Sequence, residues 1–314
     1  MDSKYFFQNC PAPIIGLAGF HSTTTAAMLQ AIFQAHFNTT SLGDKVHLVA
    51  TTANPEYGIL RDTDTLSDIS NIDIVIYILS NEQLADLAVA LPRLVISQTT
   101  DDNTNIPVVR STNLHATKTF FLGRDLNSYA LANRTLAQSL VAYPDDLAFS
   151  LPTLKVVGVW QYECAAAAAI AASDFNLLPE LIQHALANFD ELPHHLDFIR
   201  EINGVKYYDD GNSTTPELAE TSIKTFTQPI VISTHHFPDN IVKRQIIIQP
   251  ATNDSSIVSD PLIDRADNLA DATELASILA VAGDTVLYVP ATNLPSENFV
   301  MEVNKIESSL NENA

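Results

Sequence analysis

Residues 12–32 read APIIGLAGFHSTTTAAMLQAI. The run Ala12–Ala18 is short and apolar and predicts a buried strand. Gly19 to Thr25 follows as a turn of mostly small residues. Ala26, Ala27, Met28, Leu29, Ala31 and Ile32 then supply good helix formers. Strand, small-residue turn and helix open an α/β unit. The turn stands at the carboxyl end of the strand, where the amides of the helix start attract anions.

Outward from this unit, strands are expected at Lys45–Thr51, Ile72–Leu79, Leu94–Gln98, Pro107–Arg110 and Thr119–Leu122. Several are nearly continuous apolar runs, as in a parallel sheet covered on both faces. Tyr162–Ala172 is an alanine tract that predicts a tightly packed helix, and Phe175–Phe189 predicts another with Pro179 in its first turn. The pattern changes near Asp190. Leu196–Ile202 and Val205–Asp209 flank Asn203-Gly204, a strong hairpin signal. A helix starting at Pro216 behind the N-cap Thr215 comes next. Strands are then expected at Ile230–Ser233, Arg244–Gln249 and Thr285–Val289, with helices around Ala272–Ala282 and from Pro295. The reading is two α/β domains, 1–188 with a mostly parallel sheet and 189–314 as a smaller second domain.

The chain has 314 residues, 37 acidic against 16 basic, for a net charge of −21. That excess argues against phosphate-contacting nucleic-acid binding and against an anionic membrane surface. The nearly uninterrupted apolar stretch Cys164–Ala172 is too short to span a bilayer. The first residues lack a basic segment followed by an apolar run, so no secretory signal is expected. Two cysteines, Cys10 and Cys164, make neither a disulfide scaffold nor a thiolate zinc site. A cytoplasmic protein is expected. Only 9 glycines occur, so glycine-rich phosphate cradles are few.

Five segments together resemble the Mur ligases, and among them most closely the D-glutamate-adding branch. Leu192-Pro193-His194-His195, Asn203-Gly204-Val205 and Asp209 to Thr214 follow the order and spacing of the family's Leu-Pro-His-Arg, Asn-Gly-Val and Asn-Asp-Ser-Lys-Ala-Thr block. Gly19 to Thr25 is similar to its phosphate loop, so Gly19, His21, Ser22, Thr23, Thr24 and Thr25 are the phosphate-binding candidates. Ser80 and Gln83 match the strand that follows. Gly158 with Tyr162 and the alanine-rich helix resembles the segment beside the nucleotide base, where Trp160, Gln161 and Cys164 stand at the family's His and Asn positions. Pro290-Ala291 matches a turn near the end. The resemblance implies a phosphate-loop domain followed by a Rossmann-like domain, ATP and Mg²⁺ as cofactors, and amide-bond formation through an acyl phosphate. The family's N-terminal UDP-binding domain finds no counterpart, which implies a protein partner at the face it would cover.

The residues that perform this chemistry in the family are replaced. Its phosphate-loop Lys aligns with Thr23, and no Lys lies between Lys4 and Lys45. Its magnesium-binding Glu aligns with Ile78, whereas a hard cation takes oxygen ligands. No Lys lies between Lys45 and Lys118 to serve as its carbamylated Lys. Its Arg aligns with His195, which cannot reproduce a bidentate, always-charged fork. Its Lys in the Asp-Ser-Lys motif aligns with Asn212, while Asp210 and Thr214 match, as does Thr24. Loss of one such electrostatic group costs about 10²–10³ in rate. The expectation is a catalytically degenerate protein with a binding, regulatory or scaffold role. The alternative is a divergent ATP-dependent ligase working with a separate UDP-sugar-binding partner, and only that reading calls for ATP and Mg²⁺.

Other groupings read as ordinary surface. His194-His195 and His235-His236 would each offer one ligand to a shared metal, since neighbours on a strand point apart. Asp209-Asp210 reads as a solvated loop, and Asp260, Asp264, Asp267 and Asp271 as a solvated helix face. No nucleophile elbow or Cys/His pairing stands out.

Overall fold

The computed structural model describes residues 12–19, 21–39, 46–50, 74–78, 94–98, 118–122, 138–142, 147–249, 261–292 and 297–312. The chain divides into two compact units, residues 1–190 and 191–314.

The first unit contains β1 (Ile14–Gly19), α1 (Ser22–Thr39), β2 (Val46–Ala50), β3 (Ile74–Ile78), β4 (Leu94–Gln98), β5 (Lys118–Leu122), β6 (Gln138–Ala142), α2 (Val159–Asp174) and α3 (Pro179–Ala187). Its sheet runs β2-β3-β1-β4-β5-β6, with every described pairing parallel. Ile15, Leu17, Ile74, Val75 and Ile76 are buried, as expected of strands covered on both faces. β1 and β4 are neighbours whose onward connections lead to opposite sides, so the sheet's switch point lies at the carboxyl end of β1. There Gly19 pairs with Gln98.

Helix α2 holds the alanine tract. Ala165 to Ala169, Ala171 and Ala172 are buried, and their small side chains let α2 lie closely against α1. The helix starts at Val159, ahead of the tract itself. Helix α3 starts at Pro179 rather than Phe175. Asn176 is left-handed at φ 57°, and Pro179 holds Leu178 extended, so the intervening residues form a connection. Strand β6 escaped the sequence reading because QSLVA joins two polar residues to only three apolar ones. The strand expected at 107–110 lies outside the described residues.

The second unit contains β7 (Asp197–Ile202), β8 (Val205–Asp209), α4 (Pro216–Ile223), β9 (Ile230–Ser233), β10 (Arg244–Ile248), β11 (Ile263–Ala266), α5 (Leu269–Leu279), β12 (Thr285–Tyr288) and α6 (Glu297–Glu312). Its sheet runs β11-β10-β9-β12-β8-β7, parallel except for the β7–β8 hairpin. Asn203 and Gly204 both have positive φ, 51° and 78°, as a type I′ turn requires. Thr215 caps α4, its Oγ1 accepting the Leu218 N–H at 3.4 Å. Tyr207, Ile230, Ile232, Ile246, Val286 and Tyr288 form the core, with Phe299 and Val303 of α6 packed into it.

Asp260 lies outside the described residues, and Asp264, Asp267 and Asp271 do not share a helix face. Ile263 and Ala266 pair with Gln245 and Ile248, so Asp264 lies in β11, where it is ion-paired with Arg244. Asp267 follows the strand, and Asp271 is in the first turn of α5, its N–H donating to the Asn268 cap at 3.0 Å. The acid spacing imitates a helix, but parallel pairing with β10 decides the local structure. Both units are α/β, the class expected. Among the described residues no helix is long and apolar enough to cross a membrane.

Candidate functional site

Two carboxyl-end regions carry the sequence-predicted residues, one in each unit. In the first, β1 ends at Gly19 and α1 begins at Ser22. The Thr25 N–H donates to the His21 carbonyl at 3.0 Å, which places His21 at the cap of α1. Its φ of 55° is left-handed. Ser22 and Thr23 are partly exposed, while Thr24 and Thr25 are buried. Thr23 presents no ammonium, so the helix start offers an anion only its amides, worth about 0.3–1 kcal/mol.

The imidazole of His21 does not compensate. It stacks on the indole of Trp160 in the first turn of α2, centroid to centroid 4.1 Å with planes 14° apart. Burial pushes the His21 pKa down to about 4, so the ring is neutral at pH 7. The Cys164 thiol lies 3.7 Å from the His21 carbonyl. Trp160 is 3% exposed, and its Nε1, the Thr24 Oγ1 and the Gln161 Oε1 are buried without hydrogen-bond partners. Ile78, at the end of β3, is buried and pairs with Leu17 and Ala50. Ser80 and Gln83 lie outside the described residues.

Among the described residues, this edge carries an aliphatic chain at Ile78, a hydroxyl at Thr23 and two stacked rings at His21 and Trp160. The buried Thr24 hydroxyl is left without a hydrogen-bond partner.

In the second unit, the ends of β8, β9 and β12 converge. Asp209 is fully buried, with its Oδ2 2.6 Å from His194 Nδ1 and its Oδ1 accepting the Gly211 N–H at 2.9 Å. Asp210 is also buried. Its Oδ1 accepts the Leu196 N–H at 3.2 Å, its Oδ2 accepts the Ser213 hydroxyl, and its own N–H donates to the Tyr288 carbonyl at 2.9 Å. The two aspartates are therefore not a solvated loop. They sit at the end of a strand enclosed in the sheet, and each finds its own internal donors. Burial pushes Asp210 up to about 6 against the pull of Ser213, Ser222 and Leu196. Burial also raises Asp209, opposed by the hydrogen bond and charge of His194.

Asn212 ties the preceding turn. Its Nδ2 lies 3.2 Å from both the Pro193 and His194 carbonyls, and its N–H donates to the His194 carbonyl at 3.1 Å. Thr214 is partly exposed and its N–H donates to the Asn212 carbonyl. His195 is partly buried, its N–H donating to the Leu192 carbonyl at 3.1 Å. His235 and His236 are exposed beyond β9. Among the described residues no three His, Cys, Asp or Glu groups converge as a metal site would require. His194, Leu196 and Ala291 all have positive φ near 60°, so backbone strain gathers at this edge.

Sequence reasoning missed the His194–Asp209 pair and the His21–Trp160 stack. The first had one legible signal, an Asp at a position where the resembled motif carries Asn. The second joins positions far apart in sequence and left no local mark.

No family model matches the chain. It is 24% identical to the UDP-N-acetylmuramoylalanine--D-glutamate ligase of Roseiflexus sp. (strain RS-1), over 92% of this chain and 73% of that protein. It is 30% identical to the ligase of the same name from Aquifex aeolicus (strain VF5) over 48% of this chain and 40% of that protein. Among solved structures, MurF ligase of Thermotoga maritima in complex with ADP matches with a TM-score of 0.68 at 14% identity, over 99% of this chain and 83% of that one. MurC of Thermotoga maritima matches with a TM-score of 0.65 at 14% identity, over 98% of this chain and 78% of that one.

Proposed function

We propose, for this member of the Mur ligase family, a role in peptidoglycan precursor synthesis that is exercised by binding rather than by acyl-phosphate chemistry. The reading rests on one observation. The two positions that would anchor a triphosphate and its metal hold Thr23 at the start of α1 and the buried Ile78 at the end of β3. Phosphoryl transfer depends on positioned cations and metal ions, and neither side chain supplies a charge. The position of the substrate-side Lys supports the same reading, because Asn212 there is engaged with the turn at 193–194. The second unit retains a polar carboxyl edge built from the ends of β8, β9 and β12, where Thr214, Thr234 and Thr292 keep some exposure.

Calorimetry of the purified chain with magnesium–ATP tests this reading. We expect no saturable heat, and no ATP turnover on addition of D-glutamate and the UDP-N-acetylmuramoyl-L-alanine substrate. Turnover that depends on both additions overturns it.

One observation favours a second reading, a divergent ATP-dependent ligase working with a UDP-sugar-binding partner. The Thr24 hydroxyl, at the position that holds magnesium in the resembled loop, is buried without a partner. A bound metal would satisfy it. The same calorimetry separates the readings, since the second requires a magnesium-dependent heat.

A further inference from the structure

We infer that the stack of His21 on Trp160 closes the first unit to mononucleotides, by filling from within the chain the space between the starts of α1 and α2. The inference rests on the proposed reading and names the physical barrier behind it. On the proposed reading, with the resemblance as guide, a nucleotide on this unit would set its phosphates against the start of α1 and its base beside the start of α2. One ring belongs to each of these places. His21 caps α1, and Trp160 is the second residue of α2. Their centroids are 4.1 Å apart and their planes nearly parallel, which is direct stacking contact. A planar base between them would need the rings about 7 Å apart, twice the contact distance of about 3.5 Å.

The stack does not yield easily. Trp160 is 3% exposed, so turning it out exposes a large apolar ring. α1 and α2 lie against one another along the buried alanine tract, so parting the helix starts would disturb that packing. The Trp160 Nε1 is enclosed without a partner, so the ring is held by packing and not by a hydrogen bond.

Trp160 is the only tryptophan, so its emission reports on the stack directly. The test titrates magnesium–ADP by calorimetry into the full chain and into three variants. These are Thr23→Lys, Thr23→Lys with His21→Asn, and Thr23→Lys with His21→Asn and Trp160→His. Circular dichroism checks that each is folded. We expect no saturable binding up to about 1 mM for the unaltered chain and for Thr23→Lys alone, and a gain of at least tenfold in affinity when His21 is also replaced. Equal binding by Thr23→Lys and the stack-opened variants overturns the closure, because charge alone was then lacking; the proposed function survives that result. Folded stack-opened variants that still do not bind overturn it as well, again without touching the proposed function. Binding by the unaltered chain overturns both. A measurement needing no variant stands beside these. Acrylamide quenching of Trp160 is expected to be weak and unchanged by magnesium–ADP, and strong quenching overturns the closure.

Discussion

His194 Nδ1 lies 2.6 Å from the carboxylate of Asp209, a side chain with no exposed surface at the end of β8. The contact spans the β7–β8 hairpin and draws the left-handed residue His194, at φ 61°, onto the edge of the sheet. The carboxylate's other oxygen is occupied by the Gly211 N–H. One buried group thus holds both chain segments at the carboxyl edge of the second unit.

Replacing that group separates charge from shape. Asp209→Asn keeps an acceptor for Gly211 and loses only the charge assistance, and is expected to cost about 1 kcal/mol. Asp209→Ala strands the Gly211 N–H and the imidazole and is expected to cost about 2–4 kcal/mol. Urea unfolding at pH 7 measures both.

Gln245 offers a sharper case. Its side chain is fully buried in β10, where Oε1 accepts the Phe237 N–H at 2.8 Å and Nε2 donates to the Phe237 carbonyl at 2.6 Å. Gln245→Leu leaves a buried donor and a buried acceptor unpaired, for an expected loss of about 2–6 kcal/mol at about 1–3 kcal/mol each. Denaturant unfolding that shows no loss would refute this account of the Phe237 loop.

Gly204 has φ +78°, and a Cβ there would lie 3.0 Å from the Ala282 Cβ. Gly204→Ala therefore meets both an unfavourable backbone region and a close neighbour. A loss of about 1–3 kcal/mol is expected. Gly283 also has positive φ, at +97°, but nothing lies within 4 Å of its would-be Cβ. Gly283→Ala is expected to carry only the backbone part, and the difference between the two thermal shifts isolates the clash.

His21 and Asp210 contribute to stability in acid with opposite signs. His21 titrates at about 4 when folded and near 6.5 otherwise. Between those values the unfolded chain binds a proton that the folded one refuses, so this contribution to the first unit's stability falls as pH drops from about 6.5 to 4. Asp210 titrates at about 6 folded against 3.8 otherwise. Between those values the folded chain keeps a proton that the unfolded one releases, so its contribution to the second unit grows as pH falls through about 6. Trp160 emission during thermal melts at pH 7.5 and pH 5 follows the first effect, and His21→Asn is expected to reduce that pH dependence. Hydrogen exchange of second-unit amides follows the other, and Asp210→Asn is expected to reduce it, the raised Asp209 carrying a remainder of the same sign.

Much of this architecture is local and so could be read along the chain. The run at Ile14–Gly19 followed by helix formers, the Asn203-Gly204 turn, and the Thr215-Pro216 helix start each depend on residues within a few positions of one another. Where local patterns conflicted with pairing, pairing won. The spaced acids around Asp264 imitate a helix face, yet Ile263–Ala266 pairs with Gln245–Ile248 of β10 and forms a strand.

Side-chain types alone establish that Thr23 carries no charge and that Ile78 cannot ligate a hard cation, because those properties are covalent and travel with the residue. Whether a ring lies over the loop, or whether two adjacent aspartates face water or protein, belongs to distance in space. His21 and Trp160 meet because α1 packs on α2 along alanines. Asp209 and Asp210 are buried because β8 is flanked by β12 and β7. Burial then moves their proton affinities, an effect of low dielectric that no order of residues encodes without the fold around it.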